Sequence, residues 1–217
     1  IWIGTDGGVF IYNPVQDFFT AFNQTSDGGI RIRDFVTMIS SDEKGNIWIS
    51  VENQGLFCYK YGERKLLNYL HDSGLANVTR FWLNGSTCWL ALYADNLYCT
   101  KDNFKTPLQP FKDANGNEIF KGDIINWQVN GPHNCIYIAS VNGLTEVNLT
   151  TGKTRRLLET YVRALQFKSD DELWVGTESG LYIYNLTNDK VTHLTVPNQD
   201  DSYALSDNAI YSLCRDK

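Results

Sequence analysis

Leu173-Trp174-Val175-Gly176-Thr177-Glu178-Ser179-Gly180-Leu181-Tyr182-Ile183-Tyr184 reads as two short apolar runs joined by a Gly-containing turn, the pattern of a β-hairpin. The same pattern stands at the other end of the chain as Ile1-Trp2-Ile3-Gly4-Thr5-Asp6-Gly7-Gly8-Val9-Phe10-Ile11-Tyr12. Between them lie Ile47-Trp48-Ile49-Ser50 with Gln54-Gly55-Leu56-Phe57-Cys58-Tyr59, and Cys88-Trp89-Leu90-Ala91 with Asn96-Leu97-Tyr98-Cys99. A degenerate fifth copy is Ile136-Tyr137-Ile138-Ala139 followed by Asn142-Gly143-Leu144. With Trp2, Trp48, Trp89, Tyr137 and Trp174 taken as equivalent, the spacings are 46, 41, 48 and 37 residues, with 43 more to the C-terminus. A period of roughly 40 to 50 residues is that of a four-stranded propeller blade.

Each unit reads as four strands. The first carries apolar residues three apart ahead of a polar turn, as in Val36, Ile39, Asp42 and in Ile210, Leu213, Asp216. The second holds the Trp, the third alternates as Leu181 and Ile183 do, and the fourth is weaker: Phe18 to Phe22, Lys65 to Tyr69, Arg155 to Leu158, Val191 to Leu194. Such short strands cannot bury both faces alone, so neighbouring sheets must stack, with the repeated Trp as the wedge between them. The reading is an all-β β-propeller of five four-stranded antiparallel blade repeats, either a closed five-bladed ring with one-plus-three strand closure or an arc of a larger propeller. The repeats run roughly 1-34, 35-77, 78-123, 124-161 and 162-207. Residues 208-217 are expected to supply the first strand of the blade containing 1-22.

Composition narrows the function classes. Nineteen Lys and Arg against 25 Asp and Glu leave no basic surplus for a phosphate backbone, so nucleic acid is not an expected partner. The uncharged stretch Phe81 to Ala94 is broken by polar residues and shorter than the roughly 20 apolar residues of a membrane helix. Ile1 opens inside a strand pattern without Met or a signal peptide, so a targeting segment is expected elsewhere. The five cysteines, Cys58, Cys88, Cys99, Cys135 and Cys214, form no CxxC pair and sit in apolar strand patterns, as buried small hydrophobes do. Cys88 and Cys99 lie diagonally across one hairpin, about one pair out of line for a disulfide.

On the hairpins quoted above, the chain resembles the two-component regulator propeller repeat, whose pattern runs Asp-x-x-Gly-x-Leu/Ile-Trp-Ile/Val-Gly-Thr-x-x-Gly-Leu-x-x-Tyr. The match is strongest at Asp42 to Tyr59, Ile1 to Tyr12 and Leu173 to Tyr184, and weakest at Asn130 to Val147, where Tyr137 replaces Trp. Departures include Ser50-Val51 in place of Gly-Thr, and Lys168 where the turn Asp belongs. The resemblance implies the periplasmic sensor half of a hybrid two-component histidine kinase, part of an inner-membrane protein that responds to glycans. It also implies more repeats than five in the parent protein.

Repeat positions recur for structural reasons, so residues that break the pattern carry the information. Aligned first strands place Met38, Arg80, Asn126, Ala164 and Ser212 at one position, and Thr37, Thr79, Ile125, Arg163 and Tyr211 one before it. Two after the first set come Ser40, Trp82, Gln128, Gln166 and Cys214. Arg80, Trp82, Arg163 and Tyr211 are the outliers, with Asn126 beside them. An aromatic ring suits the C–H face of a sugar, and Arg, Asn and Gln suit its hydroxyls. A structural reading of the same residues stays open: Arg80 and Arg163 paired with carboxylates, and Trp82 filling a gap between blades. Arg31 and Arg33, with Asp34, precede a first strand on a loop where a carboxylate-bearing sugar would be attracted, or are solvated loop charge. Trp127 aligns with Ile39, Phe81, Leu165 and Leu213 and is expected in the core.

No catalytic, metal or cofactor site is expected. Asp113-Ala114-Asn115-Gly116-Asn117 opens like a calcium loop, but Glu118 and Ile124 stand where Gly and Glu are needed. Ser41-Asp42-Glu43-Lys44-Gly45 with Trp48 is one residue off the sialidase Asp-box spacing. His71, His133 and His193 are scattered and lack a nucleophile partner. Five-bladed glycosidases place carboxylates on inner strands, where this chain offers only Asp34 and Asp123. The expected partners are an oligosaccharide or other small ligand and neighbouring blades or domains of the parent protein, with a homodimer or a protein-interaction scaffold as the other class.

Overall fold

A computed structural model describes residues 1–24, 31–70, 77–92, 97–118, 124–196 and 205–216. The chain divides into two compact units, Ile1–Phe111 and Lys112–Lys217. Among the described residues there is no helix, and every sheet is antiparallel between sequential strands.

The first unit holds three sheets. The first is β1 (Trp2–Thr5), β2 (Gly8–Asn13) and β3 (Phe18–Ala21); the second is β4 (Val36–Ser41), β5 (Ile47–Val51), β6 (Gly55–Lys60) and β7 (Lys65–Asn68). The third is β8 (Val78–Asn84), β9 (Thr87–Leu92), β10 (Leu97–Thr100) and β11 (Gln109–Pro110). β11 is short, and its Pro sits at a sheet edge, where no ladder donor is lost. The second unit holds β12 (Ile124–Asn130), β13 (Cys135–Ser140), β14 (Gly143–Asn148) and β15 (Thr154–Leu158), then β16 (Val162–Ser169), β17 (Glu172–Thr177), β18 (Gly180–Asn185) and β19 (Lys190–Leu194). These sheets are propeller blades, and each of the first five repeats contains one of them.

Period-two alternation sorts the side chains between neighbouring sheets. From the second sheet, Val36, Ile49, Val51 and Phe57 pack with Val9 and Trp2 of the first and with Ile32, which precedes β4. The opposite face sends Trp48, Leu56 and Cys58 against Val78, Phe81, Leu90 and Leu92 of the third. In the second unit, Tyr137 and Ala139 meet Val162, Leu165, Leu173 and Val175. The repeated aromatic is therefore the wedge that the period implies: Trp2, Trp48 and Tyr137 each lean on the following sheet. Trp127, 7% exposed, lies in the core as its alignment indicates.

The apolar residues three apart on each first strand have a physical cause. The ladders slip by one residue between Val36 and Met38, Val78 and Arg80, Ile124 and Asn126, and Val162 and Ala164. One extra residue on one strand is a β-bulge. It adds one to the two-residue period, so Val36 and Ile39, Val78 and Phe81, and Val162 and Leu165 join the same cores.

Trp48 is fixed by more than contact. Its indole N–H donates to Asp42 Oδ2 at 3.0 Å, and the Asp42 carboxylate also accepts from the amides of Lys44 and Asn46 and from the Asn46 side chain. The Asp113 segment makes the same turn, with Asp113 accepting from Asn115 and Asn117, so the resemblance to a calcium loop is a Gly-containing Asx turn. Where Lys168 replaces the turn Asp, Glu172 accepts the Trp174 indole N–H at 2.7 Å and pairs with Lys168. Among the described residues, no group of three His, Cys, Asp or Glu is placed to hold a metal.

The cysteines are free: Cys58, Cys88 and Cys135 are buried, Cys99 is half-buried, and burial pushes the Cys58 thiol up to about 11. Cys99 stands opposite Trp89 and Cys88 opposite Thr100, so the two thiols point to opposite faces of the sheet. Cys214 corrects the expectation of burial, because its segment belongs to no ladder and leaves it exposed. The segment 208–216 is likewise described as irregular, and the first sheet has three strands with β1 at its edge.

Asp42→Ala strands the Trp48 N–H and three further donors, and is expected to lower unfolding free energy by about 1–3 kcal/mol in urea titrations. Partial burial pushes the Asp42 carboxyl up, but the hydrogen bonds from Trp48, Asn46 and the backbone outweigh it and hold the pKa below the ordinary value. A depressed pKa contributes stability that is present above the unfolded value, about 3.9, and is lost as pH falls through the folded one. The gap between wild type and Asp42→Ala should therefore be full at pH 7 and shrink when the titration is repeated near pH 3.

Candidate functional site

The described residues bring two of the expected site residues together, and the bulge explains how. Arg163 is the extra residue of the bulge on β16, where a side chain is turned off the regular pleat. In the first unit the same position is Thr, and its hydroxyl is spent on the backbone: Thr37 Oγ1 donates to the Val78 carbonyl at 2.8 Å, and Thr79 Oγ1 to the Ala91 carbonyl at 3.2 Å. An Arg at this position reaches past such local acceptors. Its guanidinium lies between two aromatic rings, 4.5 Å from the centroid of Tyr161 and 4.5 Å from that of Tyr211. Nη2 donates to Glu178 Oε1, and that bond raises the Arg163 pKa above its ordinary value. Nε is shielded from solvent and has no hydrogen-bond partner.

Tyr211 arrives there because it is the same repeat position in the following copy. The Ile210 amide donates to the Thr177 carbonyl at 2.8 Å, and Ile210 packs on Gly176, where an added Cβ would stand 2.7 Å from Ile210 Cγ2. Gly4 receives Val36 in the same way, with Val36 Cγ1 at 2.6 Å from an added Cβ. Ile210 thus takes towards Gly176 the place that Val36 takes towards Gly4, and Tyr211, one residue on, falls over Arg163. The phenol is 68% exposed, so one ring face is covered by the guanidinium and much of the remainder meets water. Tyr161, just ahead of β16, and Glu178 of the β17–β18 turn were not expected from the sequence.

Other expected residues fall elsewhere. Asn126, opposite Ala139 on β12, turns its Oδ1 back to the Trp127 amide at 2.8 Å. Arg80 is half-buried opposite Ala91, has an interaction of its own, and is lowered in pKa by burial. Trp82 stands opposite Trp89 in the ladder of its own sheet and is half-buried. Arg31 and Arg33 are exposed, and their backbone is pinned by Gln54, whose Nε2 donates to the Arg31 carbonyl at 2.7 Å and whose Oε1 accepts from the Arg33 amide at 2.8 Å. The Asp34 amide donates to the same Gln54 oxygen, while Asp123 and His71 lie outside the described residues.

No protein-family model matches the chain, and no curated protein matches it in sequence. Among solved structures it resembles an extracellular domain assigned to the hybrid two component system BT3049 of B. thetaiotaomicron, with TM-score 0.75 and 18% identity over 97% of this chain. A second likeness is an extracellular domain assigned to the one component system BT4673 of the same organism, with TM-score 0.75 and 16% identity over 100% of the chain. A third is PorZ, a bacterial surface component of the type-IX secretion system of Porphyromonas gingivalis, with TM-score 0.73 and 18% identity over 98% of the chain. The chain spans 28%, 29% and 34% of the length of these three proteins. At such identities the likeness establishes the propeller fold.

Two outcomes are expected of this site. Arg163 and Glu178 are 25% and 51% exposed, so Arg163→Ala should change unfolding free energy by less than about 2 kcal/mol in urea. Gly176→Val drives a side chain into Ile210, so it should part Tyr211 from Arg163 while the four-stranded sheet persists. With Tyr211→Trp as a reporter, the Gly176→Val change should shift the indole emission to longer wavelength and leave the far-ultraviolet circular dichroism unchanged.

Proposed function

We propose that this chain is an extracytoplasmic ligand-sensing segment of a hybrid two-component signalling protein, and that it binds an oligosaccharide, or relays its binding, without catalysing a reaction. The observation that carries the reading is Arg163 at a bulge that Thr occupies in the first unit, clasped by Tyr161 and Tyr211 with Nε unbonded. A preformed pair of aromatic faces around unspent donors is suited to a sugar, whose ring buries C–H groups on one face and presents hydroxyls at its rim. The likeness to extracellular domains of two-component and one-component systems supports the placement, as the periplasmic part of an inner-membrane protein. Among the described residues no helix is long and apolar enough to cross a membrane.

The likeness to a secretion-system surface component supports a second reading, a protein-interaction or dimerisation scaffold. Phe18 and Phe19 on the edge strand β3, 61% and 54% exposed, would serve it. The low-weight enzymatic reading, a glycoside hydrolase or lyase, would need acids such as Asp34 and Asp123 to act on a bound sugar.

A thermal-shift series with neutral and acidic oligosaccharides separates these readings. Ligand at about 100 times its dissociation constant adds roughly 2.7 kcal/mol to stability, a rise of a few degrees for a domain of this size. The expected result is a rise with at least one saccharide, abolished in Tyr211→Ala and unaccompanied by release of reducing ends. No rise with any saccharide, together with concentration-dependent association in light scattering that Phe18→Ser weakens, would favour the scaffold.

A further inference from the structure

Resting on the sensing reading above, we infer that the sugar recognised at Arg163 is acidic: a uronic acid residue whose carboxylate takes the place of Glu178 on the guanidinium, beside the exposed part of Tyr211. A guanidinium offers five N–H donors in a planar fork that matches a carboxylate two bonds at a time. Glu178 uses one of them, through Nη2. Nε is shielded from solvent and unbonded, so Glu178 leaves part of the donor capacity of the fork unspent. Two rings, each with its centroid 4.5 Å from the guanidinium carbon, restrict the side chain, which lowers the ordering cost of a ligand that pairs with it.

The present occupant is replaceable. Glu178 sits in the β17–β18 hairpin turn, is 51% exposed, and gives up a single hydrogen bond and little Coulomb energy in moving to water. It is also itself a carboxylate, so the group the site holds in its unliganded form has the chemistry assigned to the ligand. The surface beside it is a Tyr ring rather than a further cation, since Tyr211 and Tyr161 flank Arg163. One positive charge between two aromatic rings fits one carboxylate on one sugar better than the dense charge of a polysulfated chain, which calls for several Lys or Arg. Glu178 then acts as a selectivity gate: a neutral sugar has no group that competes for the fork, and an acidic one does.

Isothermal titration of the whole chain with oligogalacturonides of two to four units, with neutral galactan oligosaccharides of the same length, and with a sulfated galactan oligosaccharide tests this. The expected result is binding of the oligogalacturonide at least tenfold tighter than of its neutral counterpart. Arg163→Ala and Arg163→Lys should each weaken it tenfold or more, the latter because an ammonium cannot present a planar fork. Glu178→Gln should tighten it threefold or more, and raising salt from 50 to 500 mM should weaken it. Circular dichroism and the melting temperature check that each variant is folded. Equal binding of acidic and neutral sugars that is unaffected by Arg163→Ala, or weaker oligogalacturonide binding in Glu178→Gln, overturns the inference and leaves the sensing reading standing. Preference for the sulfated sugar overturns the carboxylate assignment in the same way. Absence of binding by every saccharide overturns both.

Discussion

The structure depends on one close approach. At the second residue past each repeated aromatic stands Gly4, Ser50, Ala91, Ala139 or Gly176, never a large side chain. Ser50, Ala91, Ala139 and Gly176 each stand opposite the residue just past the bulge, as Ser50 does with Met38 and Gly176 with Ala164. Gly4, Ser50 and Gly176 are also where the following segment of the same unit comes in. Val36 arrives at Gly4 and Ile210 at Gly176, and the Thr37 hydroxyl bonds both Ser50 and the Val78 carbonyl. A Cβ is tolerable there only when it is small or hydrogen-bonded, so sheets approach closely on one side of this residue. On the other, the repeated aromatic fills the widening gap between twisted sheets, as Trp48 does towards Phe81 and Leu90. Small residue and large residue, two apart on one strand and so on the same face, are two halves of one packing rule.

That rule makes the repeat its own control experiment. When a position changes its chemistry, its counterparts show what the fold requires of it. The turn Asp becomes Lys168, yet the Trp174 indole still finds a carboxylate in Glu172, so that departure is compensated and structural. Gly-Thr becomes Ser50-Val51, and the Ser hydroxyl is taken up by Thr37 at 2.6 Å. Arg163 is different. Nothing in the blade needs a guanidinium where Thr37 and Thr79 manage with a hydroxyl, and the buried Nε is left without a partner. Arg163 does pair with Glu178, as its structural reading has it, but the buried Nε keeps no partner, and that unsatisfied donor is why the functional reading settles on it rather than on Arg80 or Trp82.

The fold was legible because its signal is redundant: four Trp, one Tyr and the Gly turns repeat at the blade period, and each fourth strand expected from the sequence appears as β3, β7, β15 or β19. The three-residue spacing on the first strands was visible as well, though its cause, a bulge in four ladders, becomes plain only when both strands are seen. The site was half legible. Aligning Arg163 with Tyr211 named two residues that touch, because equal positions in successive repeats are neighbours in space. Glu178 and Tyr161 escaped since one lies in a turn matched by Asp6 and the other before its strand begins, where no periodicity marks a residue. Asn126 and Arg80 were singled out by residue type, and type alone does not say whether a polar group is already satisfied at home, as Asn126 is by the Trp127 amide.

The position of Tyr211 carries a further consequence for specificity. The first strands β4, β8, β12 and β16 are each tied to the next strand by a ladder, whereas the segment bearing Tyr211 is irregular and is joined to β17 through the Ile210 amide and a methyl resting on Gly176. One wall of the site is therefore rigid, built on a bulge inside a four-stranded sheet, and the other rests on few anchors. In the proposed sensing role the guanidinium discriminates by charge and the less firmly anchored Tyr211 ring by shape. Both contacts are needed in that role, and the cost of ordering the Tyr211 segment sets how much of the affinity the aromatic contact returns.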